Sequence, residues 1–194
     1  MILYKLFKTI YKAQGWKFDR TVPVEEYRRS VVIAAPHTSN WDFVYAMGAF
    51  DEMKVPIKFT IKKEWMRFPM NLVIEPMGGV AIDRKPKEGV SKKESTVSAM
   101  VNLFTKYEEF CMLVTPEATR SRREKWKTGF YHIANQAQVP IALSYCDYKE
   151  KICGVKKLVH PTGDMDKDMN IIMKFYQNIP AKFPEKFSID KRFL

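Results

Sequence analysis

The sequence predicts an α/β protein: a single domain with a mostly parallel central sheet flanked by helices. Short apolar runs such as Val31–Ala35 and Phe110–Val114 have the length of strands buried on both faces. Between such runs, as in Ser91–Lys106, apolar residues recur at helical spacing. Strands that alternate with helices along a chain build a parallel sheet with helices on both faces.

The first elements are separated by clear turn signals. Pro36 ends the strand over 31–35, and Ser39 or Asn40 is suited to cap the helix that follows. The apolar face of that helix comprises Val44, Tyr45, Met47 and Phe50. A strand over 56–61 comes next, and then a helix that begins near Lys62, is broken by Pro69 and ends near Pro76.

The alternation continues to the end of the chain. The remaining predicted elements are a strand over 80–82, a helix over 91–106, a strand over 110–114, a helix over 129–137, a strand over 139–145, a looser strand over 151–160 and a last helix containing Ile171, Ile172, Phe175 and Ile179. Asp164 or Asp166 is suited to cap that last helix.

The N-terminus is predicted to be an amphipathic helix. Its apolar side comprises Ile2, Leu3, Leu6, Phe7, Ile10 and Tyr11, and its opposite side comprises Lys5, Lys8 and Lys12. This pattern is typical of a helix that lies in a membrane interface, and equally of one that packs on its own domain with a solvated lysine face. We expect residues 1–20 to contact a membrane and residues 21–194 to form the main domain.

Composition narrows the possible partners and cofactors. The 194 residues have a net charge of +11, which favours an anionic membrane surface, an acidic carrier protein or a phosphorylated substrate. Nucleic acid is not expected, because no helix-turn-helix, zinc-finger, RNP or KH pattern is present. No apolar run is long enough to span a membrane. No metal-ligand cluster or glycine-rich nucleotide loop occurs, so neither a metal nor a nucleotide cofactor is expected.

The three cysteines, Cys111, Cys146 and Cys153, lie in or beside apolar runs. Cys146 and Cys153 lack metal-finger spacing, and no cysteine is paired with a histidine in a nucleophile motif. We therefore expect three buried free thiols in a reducing cytosol.

The clearest chemical signal is His37 followed five residues later by Asp42. It follows a predicted strand, and in open α/β sheets ligands bind beyond the carboxyl ends of the strands. An imidazole that a carboxylate orients is a general base for a hydroxyl group. The alternative is that Asp42 only favours the helix N-terminus and that His37 is an ordinary loop residue.

The rest of the chain supports the catalytic interpretation. His37–Asp42 resembles the first signature of the glycerolipid acyltransferases related to 1-acylglycerol-3-phosphate acyltransferase, the lysophospholipid acyltransferase superfamily. Further blocks resembling that family follow in the family's order: Gly78–Arg84, Thr115–Arg122 and Val139–Leu143. Two positions depart from the pattern, since Ala118 replaces a glycine and Leu143 replaces a proline.

The resemblance implies an acyltransferase of phospholipid biosynthesis. It would move a fatty acyl group from an acyl carrier protein or coenzyme A thioester, as cosubstrate, to the hydroxyl of a lysophospholipid-like acceptor such as 1-acylglycerol-3-phosphate. His37 would be the general base and Asp42 its orienting carboxylate, with no further cofactor. The protein is then expected in the cytoplasm, peripheral on the inner face of the membrane. Open alternatives are a different lipid acceptor, such as an amino-acid lipid or a glycolipid, and a non-catalytic basic membrane-binding module.

The resemblance also implies residues that bind the acceptor phosphate. Arg120 is the first choice, because a guanidinium binds phosphate through two hydrogen bonds. The supporting set is Arg122, Arg84, Lys62 and Lys63, with Glu117 expected to order the turn by accepting backbone hydrogen bonds or by pairing with an arginine. For Arg84 and the two lysines the alternative is an ordinary solvated surface charge.

Overall fold

The computed structural model describes residues 2–82 and 91–194, with residues 2–4, 92 and 93 described by their backbone alone. The strands are β1 (Lys17–Asp19), β2 (Arg29–Ala34), β3 (Ile57–Lys62), β4 (Gly79–Ile82), β5 (Phe110–Val114), β6 (Ile141–Asp147) and β7 (Ile152–Val159). They form one seven-stranded sheet in the order β1-β7-β6-β2-β5-β3-β4. All neighbouring strands are parallel except β6 and β7.

Helices cover both faces of the sheet. They are α1 (Ile2–Ala13), α2 (Asn40–Glu52), α3 (Asn71–Ile74), α4 (Lys92–Phe104), α5 (Gly129–Ala137) and α6 (Met165–Tyr176). α4, α5 and α6 share one apolar cluster with the sheet, whereas α1 and α2 pack in clusters on the other side. The prediction of an α/β domain with a mostly parallel sheet and an N-terminal helix is confirmed.

β2 lies at the centre of the sheet, and this position explains its run of apolar residues. Val31 and Ile33 belong to the cluster under α4, α5 and α6, and Val32 belongs to the cluster under α2. All three side chains are fully buried. Because successive side chains of a strand point to opposite faces, a strand covered on both sides needs apolar residues at every position.

The direction of the strands gathers several loops at one edge. β2, β3, β4, β5 and β6 run parallel, so their carboxyl ends lie at the same side of the sheet. The segments that follow β2, β5 and β6 contain His37, Glu117 and Tyr148 respectively. Residues from distant parts of the sequence therefore meet at this edge.

The helix predicted near 62–76 is wrong over most of its length. Only a single 3-10 turn at Lys63–Trp65 and the four-residue α3 are helical. Pro69 lacks a backbone N–H and disfavours helical geometry in the residue before it. Most side chains of this segment are also exposed, and a short helix without a surface to pack on has little stability. β1 was not predicted, because a strand of three residues has too little periodicity to be recognised.

The expectation of three free thiols is wrong for two of the cysteines. Cys146 and Cys153 form a disulfide bond across β6 and β7, where they are directly opposite in the antiparallel register. Cys111 is free and buried, as predicted. The pairing could not be foreseen because it depends on β6 and β7 being antiparallel neighbours, which cysteine spacing does not reveal.

Part of the apolar side of α1 packs on the domain. Phe7 lies in the cluster under α2, and the Tyr11 side chain is buried. Lys8 and Lys12 form ion pairs with Glu52 at 2.6 and 2.9 Å. Leu6 is exposed. Within residues 2–82 and 91–194, no helix has the length and apolar character needed to cross a membrane. Membrane contact by residues 1–20 remains a prediction.

Candidate active site

The loop after β2 is held by backbone hydrogen bonds to Asp42. Ser39 is the N-cap of α2, as the sequence suggested, and its side chain accepts a hydrogen bond from the Trp41 N–H. Asp42 Oδ2 accepts from the N–H groups of Thr38 and Ser39 at 2.7 and 2.8 Å. The carboxylate therefore stabilises the helix start and fixes the loop that contains His37.

His37 and Asp42 are brought together as the sequence predicted. Nδ1 of His37 lies 3.5 Å from Oδ2 of Asp42. This separation is longer than a hydrogen bond but short enough for the carboxylate to orient the ring and stabilise its positive form. The His37 side chain is 21% exposed, and that of Asp42 is 9% exposed. Nδ1 is the ring nitrogen toward Asp42, so Nε2 is the ring nitrogen without this carboxylate contact.

Glu117 holds the same loop from the neighbouring strand. Its side chain is buried, and Oε1 accepts a hydrogen bond of 2.8 Å from the His37 backbone N–H. Burial raises the pKa of Glu117 to about 7, the His37 hydrogen bond opposes this rise, and the negative charge of Asp42 adds to it. Glu117 thus accepts a backbone hydrogen bond as expected, but from the His37 loop and not from an arginine.

Ala118 shows why glycine is usual at this position of the family's block. Its φ is +57°, in the left-handed region where a Cβ meets steric resistance. The turn keeps its shape with alanine at a conformational cost of roughly 1 kcal/mol.

Tyr148 is a site residue that the sequence did not reveal. It lies in the turn between β6 and β7, and its hydroxyl donates a hydrogen bond of 2.5 Å to Oδ1 of Asp42. Burial raises the pKa of Tyr148 well above its ordinary value, and the bond to Asp42 raises it further. Tyr148 is separated from Asp42 by 106 residues, so no local pattern connects the two.

The predicted phosphate-binding residues lie at the same edge but outside the buried site. Arg120 and Arg122 follow the Glu117 turn, Lys62 is the last residue of β3, and Lys63 comes directly after it. All four residues are exposed, and their side chains form no hydrogen bond or ion pair with residues in the described ranges. Arg84 lies outside the described residues.

Lys182 is a second site residue that the sequence did not reveal. Its ammonium lies 5.3 Å from the ring centre of Trp41 and 5.8 Å from that of Tyr148. The next residue, Phe183, donates its backbone N–H to the Thr38 hydroxyl at 3.3 Å. The C-terminal segment therefore adds a positive charge beside the start of α2.

Backbone N–H groups near His37 are unevenly available to an oxyanion. Those of Thr38, Ser39 and Trp41 at the start of α2 already bond to side chains of the loop. In the turn after β5, the Ala118 N–H bonds to the Thr115 carbonyl, whereas the Thr119 N–H meets no acceptor in the part of the chain that is described. The Thr119 N–H, like the Asn40 N–H at the start of α2, is thus uncommitted within the described residues.

An apolar cavity lies behind His37, between α2 and the sheet. Its lining includes Ala46, Ala49 and Phe50 from α2, Leu113 from β5 and the Cys146–Cys153 disulfide. His37 and Asp42 also line it. Its volume is only about 40 Å³, so the imidazole of His37 borders an apolar space that is too small for a hydrocarbon chain.

Comparison with known proteins agrees with the geometry. A family model described as acyltransferase matches residues 19–143, more than half of the chain, so the chain belongs to the acyltransferase family. The crystal structure of the 1-acyl-sn-glycerophosphate (LPA) acyltransferase PlsC from Thermotoga maritima is similar in fold, with a TM-score of 0.57 and 17% sequence identity. The similarity covers 90% of this chain and 75% of that one. No curated protein matches the sequence.

Replacing Tyr148 by Phe is expected to lower the acyl-transfer kcat by about tenfold and to change KM little. The variant loses a hydrogen bond to an ionised carboxylate, a class worth about 1.5–3 kcal/mol, and Asp42 then orients His37 less well. Steady-state kinetics with each substrate varied in turn would measure both constants. Tyr107→Phe, which removes a partly exposed hydroxyl elsewhere, is the matched control. An equal loss of kcat in the two variants would show that the Tyr148 hydroxyl has no specific part in the site.

Replacing Glu117 by Gln is expected to remove a pH-dependent part of the free energy of unfolding. The folded-state pKa is about 7 and the ordinary value is 4.5. A raised pKa stabilises the fold below about pH 4.5, and this stabilisation is lost as the pH rises to about 7. As the pH rises from about 4.5 to above 7, the unfolding free energy of the wild type should therefore fall relative to that of Glu117→Gln, by up to about 3 kcal/mol. Denaturant titrations at several pH values measure the difference, and parallel curves would contradict the prediction.

Proposed function

We propose that the protein transfers a fatty acyl group from a thioester to the hydroxyl of a lysophospholipid-like acceptor such as 1-acylglycerol-3-phosphate. The observation that carries the proposal is the His37–Asp42 pair, held by Glu117 and Tyr148 beside an apolar cavity. The fold shared with PlsC, whose described substrate is 1-acyl-sn-glycerophosphate, supports the acceptor class.

The chemistry needs one proton acceptor and no covalent intermediate. Nε2 of His37 removes the proton of the acceptor hydroxyl as its oxygen forms a bond to the thioester carbonyl carbon. Asp42 stabilises the resulting imidazolium. The C–S bond then breaks, and the thiolate leaves and takes the proton from His37. The Thr119 N–H is suited to stabilise the oxyanion that develops between these steps.

Exposed basic side chains at this edge of the sheet are suited to bind the phosphate of the acceptor. Arg120 and Arg122 are free to bind phosphate, and Lys62 and Lys63 supply further positive charge at the same edge. Lys182 joins this set from the C-terminal segment. The donor is acyl carrier protein or coenzyme A.

We place the enzyme at the inner face of a membrane, as a peripheral protein. A chain with a net charge of +11 is attracted to the anionic lipid that is enriched there. A bond such as Cys146–Cys153 is rare in the cytosol, so the two cysteines test this placement. Thiol labelling of the protein in intact cells should find them reduced at the inner face, and an oxidised pair would contradict the placement.

His37→Ala is expected to lower acyl transfer by about 10²–10⁴ while leaving the fold intact, because it removes the proton acceptor and not a core side chain. The measurement is mass spectrometry of lipids formed by the purified proteins from a panel of lysolipids and both classes of thioester. His160→Ala, which removes an exposed histidine, is the matched control. If His37→Ala forms products as fast as the wild type in every combination, the proposed mechanism is wrong.

Arg120→Lys is expected to raise KM for a phosphorylated acceptor by about tenfold, equivalent to about 1.4 kcal/mol, because an ammonium cannot form the two parallel hydrogen bonds of a guanidinium. KM for the acyl donor should not change. Arg123→Lys, an exposed position nearby, is the control. An equal loss with an acceptor that lacks phosphate would assign Arg120 a structural or donor-binding part instead.

A further inference from the structure

The segment between β3 and β4, residues 63–76, exposes an unusual amount of apolar surface. Its exposed fractions are 59% for Trp65, 81% for Phe68, 48% for Met70, 63% for Leu72 and 53% for Val73. Of the nine large apolar side chains that are exposed in the described ranges, these five lie between positions 65 and 73. Contiguous apolar patches of this kind on a soluble protein indicate an interaction site.

The segment is anchored, so its exposure is a fixed property of the fold. Ile74 is buried, and its Cγ2 occupies the space where a side chain on Gly79 would lie, only 2.2 Å from an ideal Cβ. Gly78, with φ of +84°, passes close to the Ile57 carbonyl. These contacts attach the end of the segment to β3 and β4 while its apolar side chains remain outside the core.

Positive charges accompany the exposed aromatic side chains. Lys62, Lys63 and Arg67 are exposed and form no ion pair in the described parts of the chain, whereas Glu64 and Glu75 are the acidic residues nearby. Tryptophan favours the boundary between water and hydrocarbon, and flanking lysine and arginine side chains extend toward lipid phosphates. Together with the net charge of +11, this composition fits an anionic bilayer surface.

The position of the segment suits an enzyme that acts on lipid. It leaves the sheet at the carboxyl end of β3, and only β5 separates β3 from β2, whose carboxyl end leads to His37. Two strand spacings correspond to about 10 Å. A bilayer that meets Trp65 is therefore close to the edge of the sheet where the acceptor hydroxyl must arrive.

α1 is less suited to be the main contact. Phe7 packs edge-on against Phe43, with ring centres 6.2 Å apart, and Tyr11 is buried. Lys8 and Lys12 are already paired with Glu52. Of the large apolar side chains of α1 that are described, Leu6 alone is exposed by more than a third.

We propose that residues 63–76 form the surface that enters the headgroup boundary of an anionic bilayer, with Trp65 and Phe68 as its anchors. The proposal rests on the proposed function, since a lipid acceptor is what requires the site to approach a membrane.

The test compares a double variant, Trp65→Asp with Phe68→Asp, with a matched control, Tyr107→Asp with Leu194→Asp, which changes two exposed apolar residues elsewhere. Co-sedimentation uses vesicles of mixed phosphatidylglycerol and phosphatidylcholine, with circular dichroism as the folding check. The double variant should bind at least about tenfold more weakly, because it loses the two aromatic side chains that enter the headgroup boundary and gains two negative charges that anionic lipid repels. Added salt should weaken wild-type binding. A folded double variant that binds as well as the wild type overturns the proposal.

A second measurement does not depend on charge introduced by mutation. Tryptophan emission of the wild type should be quenched by vesicles with brominated acyl chains, and Trp65→Phe should lose most of that quenching. Equal quenching of both proteins overturns the proposal. So does sedimentation equilibrium that shows the wild type to be a dimer and the double variant a monomer, because the segment is then an interface between two copies.

Failure of this surface and failure of the proposed function give different results. Vesicle binding is measured without turnover, so His37→Ala should bind like the wild type. The double variant should keep its activity on a soluble short-chain acceptor. A wild type that binds vesicles through Trp65 but acylates no acceptor supports the surface and contradicts the function.

Discussion

The hydrogen bond from the His37 backbone N–H to the buried Glu117 carboxyl is the contact on which the rest of the site depends. It joins the loops after β2 and β5, which are neighbours in the sheet. A buried carboxyl without a partner would be costly, so the bond stabilises Glu117 and fixes the loop at the same time. Once that loop is fixed, Asp42 and the start of α2 place the imidazole at the carboxyl edge of the sheet.

The acidic residues of the site are buried, whereas the arginines beside it are exposed. Asp42 and Glu117 are buried and accept hydrogen bonds from the backbone of the His37 loop. Arg120 and Arg122 are exposed and uncommitted within the described ranges. The buried acids therefore hold the His37 loop in place, while the two arginines stay exposed at the same edge of the sheet.

α1 and the segment between β3 and β4 differ in where their apolar side chains lie. Phe7 and Tyr11, on the apolar side of α1, pack against the domain. The apolar side chains of the segment between β3 and β4 face outward, and only Ile74 is buried. In sequence, one segment is amphipathic and the other is rich in apolar residues. Such patterns show that an apolar surface is favoured to be buried, but they do not show whether protein or lipid buries it.

The sequence by itself determined what depends on local patterns. The continuous apolar run of β2, the Ser39 cap of α2 and the spacing of His37 and Asp42 all lie within one strand–loop–helix unit, so periodicity and capping chemistry predict them. Tertiary structure alone decided that Cys146 pairs with Cys153, that Tyr148 and Lys182 reach the start of α2, and that most large apolar side chains of residues 63–76 remain exposed. These features depend on which strands become neighbours and on what surface is left uncovered. Such facts arise only when distant parts of the chain pack together.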